Sequence, residues 1–269
     1  MAVKELTGSS LLDALRPHEQ AMVAECVESH GFSSGHVFYD PGDDVRYAYF
    51  PRFSAVTSFH VIMADGSAIE TAMVGSEGAI GGIVSKGRLP AYARSCVMHG
   101  GDFYRIACTD LATLKEENLH MRQLFTRYAD CMLAQVFQSV ACNAVHTIEQ
   151  RAAKWLVAAM DRTGNNVVAM TQDQLGSILG VGRTYVSRVI RKMKAMGAVK
   201  TRRGGIVVED RGCLERMSCD CNALVGQHFS TVMGEMYANG NGANGHANGK
   251  GNGNGYDNGI KEPATDFSY

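Results

Sequence analysis

The spacing of apolar positions changes several times along the 269 residues. Over residues 1–30, Leu11, Leu12, Leu15, Met22, Val23 and Val27 recur at helical spacing and are candidates for a core. From Gly35 the pattern breaks into short runs rich in aromatic and β-branched residues: His36-Val37-Phe38-Tyr39, then residues 46–50, 54–63 and 69–74. Asp40-Pro41-Gly42-Asp43 and Ala64-Asp65-Gly66 separate them as turns. Runs of this kind at this spacing predict an all-β roll or barrel. Residues 110–144 return to a long helical period. There Leu124, Tyr128, Cys131, Gln135, Gln138 and Cys142 step by four and three, as a coiled-coil seam does, with Phe125, Met132 and Val136 widening the face. The length and the steps favour a dimerisation helix over a surface helix packed on its own roll. After a hinge near residues 143–146, a further helix over 146–162 turns Ile148, Ala152, Trp155, Leu156 and Ala159 inward.

Residues 170–208 carry the strongest local signals. Thr171 can cap a helix and Gln174, three residues on, completes a capping box. Leu175, Ile178 and Leu179 form one apolar stripe. Gly180-Val181-Gly182 then makes a tight turn. A second helix over 183–196 buries Val186, Val189, Ile190 and Met193 and leaves Arg183, Thr184, Tyr185, Ser187, Arg188, Arg191 and Lys192 outward. Residues 199–208 read as a hairpin turning at Gly204-Gly205. From 174 to 208 the charged residues are Arg183, Arg188, Arg191, Lys192, Lys194, Lys200, Arg202 and Arg203, all basic, in a chain whose net charge is only −1. Positive charge gathered on one small helical unit is the footprint of a phosphate-backbone binder.

Composition adds bounds. The length suggests one or two domains, and 45% hydrophobic residues suffice for real cores. The start MAVKELTGSS lacks the apolar segment of a signal peptide and no run reaches membrane-spanning length, so no membrane partner is expected. Eight cysteines without such a signal predict reduced thiols in the cytoplasm. Residues 238–259 are Asn-Gly repeats with almost no apolar content, expected to be a disordered tail.

Thr-Gln-Asp-Gln-Leu-Gly at 171–176, Leu-Gly-Val at 179–181, Arg183-x-x-Val186-x-Arg188 and the Gly205-Ile206-Val207 hairpin together resemble the winged helix-turn-helix of the Crp/Fnr transcription regulators. The resemblance covers roughly residues 20–220, including the Pro-Gly-Asp turn of the roll. It implies an α+β fold: N-terminal helices and a cyclic-nucleotide-binding-like β-roll (1–110), a long dimerisation helix (111–144), a winged helix-turn-helix (145–237) and the tail (238–269). It implies a homodimer on double-stranded DNA, with RNA polymerase as a further partner. Arg183 and Arg188 carry over to the positions that read guanine. Thr184 stands where well-studied members have Glu, and with Tyr185 it is free to meet a thymine methyl; Ser187 completes the base-reading candidates. Thr171, Arg191, Arg202 and Arg203 are the phosphate candidates.

Residues 75–82 sit where that family has its phosphate-binding cassette, and Gly75, Ser76, Glu77 and Gly78 with Arg88 and Arg94 form the candidate effector pocket. The match is degenerate. Ser76 stands at the position of the ribose-binding Glu, with Glu77 one step late. Leu89-Pro90-Ala91-Tyr92 occupies the place of the phosphate-binding Arg. Cyclic AMP is therefore not expected, and the glycines are read as a structural turn above any named ligand. An unidentified small molecule, or none, stays open. No resident cofactor is expected. An iron–sulfur sensor needs clustered N-terminal cysteines, and only Cys26 lies near the start. Cys213, Cys219 and Cys221 are weak metal or redox candidates, with His228 as a fourth ligand if the C-terminal helix folds back. His60, His99 and His120 stay open as haem ligands. No nucleophile–base pair or Walker loop points to an enzyme. A ligand-, metal- or redox-responsive sensor, and a protein-interaction module retaining a helix-turn-helix, are the alternatives.

Overall fold

The computed structural model describes residues 6–87 and 89–239. Arg88 and the Asn-Gly repeats from 240 onward lie outside the described residues.

The chain opens with α1 (Ser10–Asp13) and α2 (Pro17–Cys26). The proline begins α2 where its missing N–H costs nothing, and Glu19 accepts a hydrogen bond from the Arg16 amide at 2.9 Å. The helix expected to reach residue 30 stops at Cys26, because β1 (Glu28–Phe32) pairs antiparallel with β7 (Gly101–Ala107). Between them in sequence lie β2 (Val37–Tyr39), β3 (Tyr47–Pro51), β4 (Val56–Ile62), β5 (Ala68–Val74) and β6 (Arg94–His99). They form two antiparallel sheets of order β1-β7-β3 and β2-β6-β4-β5. Tyr39, Tyr49, Ile80, Val97 and Phe103 fill the space between the sheets.

The long helical stretch is two helices, α3 (Cys108–Glu117) and α4 (Leu119–Val145), broken where Asn118 adopts an extended backbone. Leu111, Leu124, Phe125 and Tyr128 pack with Leu11, Leu12 and Leu15, with Phe50 and Ile106 of the roll, and with Met233 and Met236. This corrects the expected seam. Leu124, Tyr128, Cys131 and Cys142 are buried within their own chain, and the Gln135 amide donates to the Met73 carbonyl at 3.0 Å. The face of α4 left bare carries Leu133, Phe137 and Val140, which are 50%, 64% and 65% exposed.

His146 ends α4 and Thr147 caps α5 (Ile148–Thr163). Then come β8 (Val167–Val168), α6 (Gln172–Leu179), α7 (Arg183–Ala195), β9 (Val199–Arg202), β10 (Gly205–Val208), α8 (Arg211–Met217) and α9 (Cys221–Asn239). The three strands form a sheet of order β8-β10-β9. Helix α9 runs back along α4, where Arg127 donates to the Val232 carbonyl at 2.9 Å. Among the described residues no helix is long and apolar enough to cross a membrane.

Candidate nucleic-acid interface and sensor cassette

The capping box at Thr171 is formed: its hydroxyl accepts from the Gln174 amide at 3.1 Å and the Gln174 side chain accepts from the Thr171 amide at 2.7 Å. Gly180 ends α6 in the left-handed conformation, φ 68°, which a β-carbon would strain. The chain re-enters helix at Arg183. Val186, Val189, Ile190 and Met193 are buried against Leu175, Ile178, Leu179 and Leu156. That burial fixes the rotation of α7, so Arg183, Thr184, Tyr185, Arg188, Arg191 and Lys192 face solvent. The Arg188 guanidinium lies over the Tyr185 ring, 5.7 Å from its centroid, which limits where it can reach. Arg183 pairs with Asp173 at 3.3 Å; both are exposed, so the pair is weak and easily exchanged for another acceptor. Ser187 turns toward α6 and donates to Gln172 Oε1 at 2.8 Å.

The hairpin turns at Arg203-Gly204, and Gly205 already belongs to β10, one residue earlier than a turn at the Gly pair. Arg202 and Arg203 are exposed at its tip. Lys194 Nζ donates to Thr201 Oγ1 at 2.5 Å and ties α7 to the hairpin.

Four amides of the cassette are engaged within the protein: Gly75 N donates to Glu77 Oε1 at 3.1 Å, Gly78 N to Gly75 O at 3.1 Å, Ala79 N to Tyr128 Oη at 3.1 Å and Ile80 N to Tyr49 O at 2.9 Å. Ser76 Oγ lies 3.3 Å from Ser10 Oγ. A β-carbon on Gly78 would lie 2.1 Å from Tyr128 Oη, so the glycine is required by close packing of α4. Glu77 also accepts from Arg162 Nε of α5 at 2.8 Å. Arg94 donates to Asp40 at 2.5 Å. Ser95 and Ala93 line a pocket of about 220 Å³ on the roll, open to solvent at the exposed Tyr92, with Tyr39, Val45, Phe59 and Ile80, and Arg94 is not among its lining residues. Among the described residues no cation lines that pocket.

Roll and C-terminal helices share one core. Val56 and Met73 pack in the cluster of Trp155, Leu156 and Val168. The Trp155 indole N–H donates to Glu70 Oε1 at 2.6 Å. Burial pushes the Glu70 carboxyl up to about 7, opposed by that indole bond and by Lys154 and Arg162. Glu70 Oε2 is enclosed, and a hydrogen bond with the Ser58 side chain also favours the ionised form.

A Crp-like helix-turn-helix family model matches residues 150–217, the span from α5 to α8. The chain carries a Crp-like helix-turn-helix domain. Solved structures extend the likeness to the roll and long helix. A Crp/Fnr-family transcriptional regulator from Eubacterium rectale has a TM-score of 0.60 at 14% identity, covering 77% of this chain and 96% of that one. FixK2 from Bradyrhizobium japonicum has 0.60 at 16%, covering 72% and 98%. A CRP-family regulator from Thermus thermophilus has 0.59 at 18%, covering 70% and 95%. No curated protein matches the sequence. The chain therefore has the fold of Crp/Fnr regulators, with the Crp-like domain at its C-terminal side.

Beside the Crp-like domain, the thiols are arranged differently from the sequence expectation. Cys213 Sγ points to the Met196 carbonyl at 3.5 Å, inside the domain core. Cys219 and Cys221 instead meet Cys142 and His146. His228 is exposed on α9 and outside this group. The available signal was the spacing Cys142-x-x-x-His146, which puts both residues on one face at the end of a helix. Of the other histidines, His120 lies 2.8 Å from the buried Glu19 carboxylate. Burial, reinforced by Arg94, holds His60 below its ordinary pKa, and its Nδ1 lies 3.5 Å from Cys96 Sγ.

Proposed function

We propose that the chain is a homodimeric, sequence-specific DNA-binding transcription regulator whose effector, if it has one, is not a cyclic nucleotide. The observation that carries this is the exposed face of α7. Its inner side is locked by Val186, Val189, Ile190 and Met193, so Arg183, Thr184, Tyr185 and Arg188 project together from the first turns of a helix that fits the major groove. Arg183 and Arg188 are assigned to guanine O6 and N7, and Thr184 and Tyr185 to a thymine methyl. Ser187 supports the reading face by holding α6. Arg191, Arg202, Arg203 and the α6 N-terminus at Thr171 are assigned to phosphate.

Dimerisation is assigned to the bare stripe on α4. Leu133, Phe137 and Val140 step by four and three, and an isolated chain would leave all three wet. A two-fold axis there calls for a pseudo-palindrome with half-sites about 34 Å apart. The engagement of the Gly75, Gly78, Ala79 and Ile80 amides within the protein, the pairing of Arg94 with Asp40 and a pocket lined by no described cation all argue against a cyclic phosphate. Titration of a fluorescent duplex pool with the purified chain tests the reading. Affinity should fall steeply as salt rises, with two chains per duplex at saturation. Salt-independent association, or none, would contradict it.

A further inference from the structure

Four side chains able to bind a metal meet where α4 ends and α9 begins. Cys142 lies in the last turn of α4, His146 ends that helix, Cys219 lies in the connection from α8 to α9, and Cys221 begins α9. Their ligand atoms all lie within 4.8 Å of one another. Cys142 Sγ is 3.7 Å from Cys219 Sγ, and Cys221 Sγ is 3.5 Å from His146 Nδ1. A tetrahedral zinc ion, with bonds of about 2.3 Å to sulfur and about 2.0 Å to nitrogen, separates two sulfurs by about 3.7 Å and a sulfur from a nitrogen by about 3.5 Å. Both edges have those lengths. We propose that Cys142, His146, Cys219 and Cys221 bind one zinc ion in a closed Cys₃His site.

The surroundings fit a structural ion. The three cysteines are buried and form a cluster of their own, apart from the larger cores. Three thiols lose their protons on binding and His146 coordinates as the neutral ring, so the site carries one net negative charge. The Gln138 amide, 3.1 Å from Cys221 Sγ, donates to the thiolate that would otherwise carry that charge unaided. Four protein ligands leave no open position for substrate, so the ion holds structure rather than performing chemistry. An iron–sulfur cluster would spread its ligands across the width of several atoms; donors this close surround a single ion. The ion ties the end of α4 and the following hinge to the start of α9, 77 positions away. Nothing in this assignment depends on the DNA-binding reading.

The test uses the full chain purified without chelator. Elemental analysis should find one zinc per chain, lost from Cys142→Ser, Cys219→Ser and Cys221→Ser and retained by Cys213→Ser. Cobalt alone, added to the metal-free chain, should give the intense visible absorption of a tetrahedral ion together with a sulfur charge-transfer band. His146→Cys should keep the ion and move those bands to longer wavelength, a gain that a misfolded variant would not show. A folded chain that takes up neither zinc nor cobalt would overturn the site. So would a Cys142–Cys219 disulfide in the fresh protein, an iron–sulfur chromophore, or metal retained by Cys219→Ser and lost by Cys213→Ser.

Discussion

Replacing Glu70 by Gln measures how tightly the roll is docked on the Crp-like domain. The folded chain holds the Glu70 proton up to about pH 7, whereas a free carboxyl releases it at the ordinary value of 4.5. Between those values the folded state binds more protons, so this residue's contribution to stability falls as pH rises and levels off above the folded pKa. A shift of roughly 2.5 units corresponds to about 3 kcal/mol. Gln keeps an acceptor for the Trp155 indole and cannot ionise. Its amide takes the place of Oε2 beside the Ser58 hydroxyl, a change whose effect on stability does not vary with pH. Trp155 is the only tryptophan and is itself the hydrogen-bond donor, so its fluorescence reports the contact directly. Urea unfolding followed by that fluorescence, from about pH 5 to about pH 8, should show Glu70→Gln gaining on the wild type by roughly 2–3 kcal/mol. A difference independent of pH would refute the claim that the fold encloses a protonated carboxyl.

Arg188→Ala should cost about 1–3 kcal/mol on the preferred site and relax base preference, measured by competition against scrambled duplex; equal loss on both would make Arg188 a phosphate contact. Arg203→Ala should weaken all sequences alike and flatten the salt dependence of binding, and a sequence-selective loss would count against that role. Phe137→Glu should leave a monomer in sedimentation and weaken binding to a full palindrome far more than to a half-site. An unchanged dimer would place the interface elsewhere. Gly78→Ala should lower stability by about 1–3 kcal/mol in thermal melts, because its β-carbon has nowhere to go but into Tyr128.

Sequence legibility followed the range of the interactions. Helices α6 and α7 were readable because the Thr171 box, the Gly180 turn and the stripe of Val186, Val189, Ile190 and Met193 are all local. The runs and turns of the sequence mark β2 to β5 of the roll but not β6 and β7, and not β1, whose Glu-Ser-His-Gly-Phe lacks alternating apolar residues and is a strand only because β7 pairs with it. Helix α4 is legible as a helix but not in the roles of its faces. It carries two apolar stripes, and periodicity does not reveal that Leu124 and Tyr128 pack on the chain's own roll while Leu133 and Phe137 stay outside. The cassette and the thiol group depended on contacts invisible along the chain. Glu77 meets Arg162 from 85 positions away, and Cys142 was read as a seam residue when its neighbours are Cys219 and Cys221.

Selection of random duplex DNA by the purified chain, without added effector and at near-physiological salt, tests the central claim most directly. An enriched pseudo-palindrome is expected, with half-sites one helical turn apart and guanines facing Arg183 and Arg188. Binding that merely follows salt, with no sequence enriched, would contradict it.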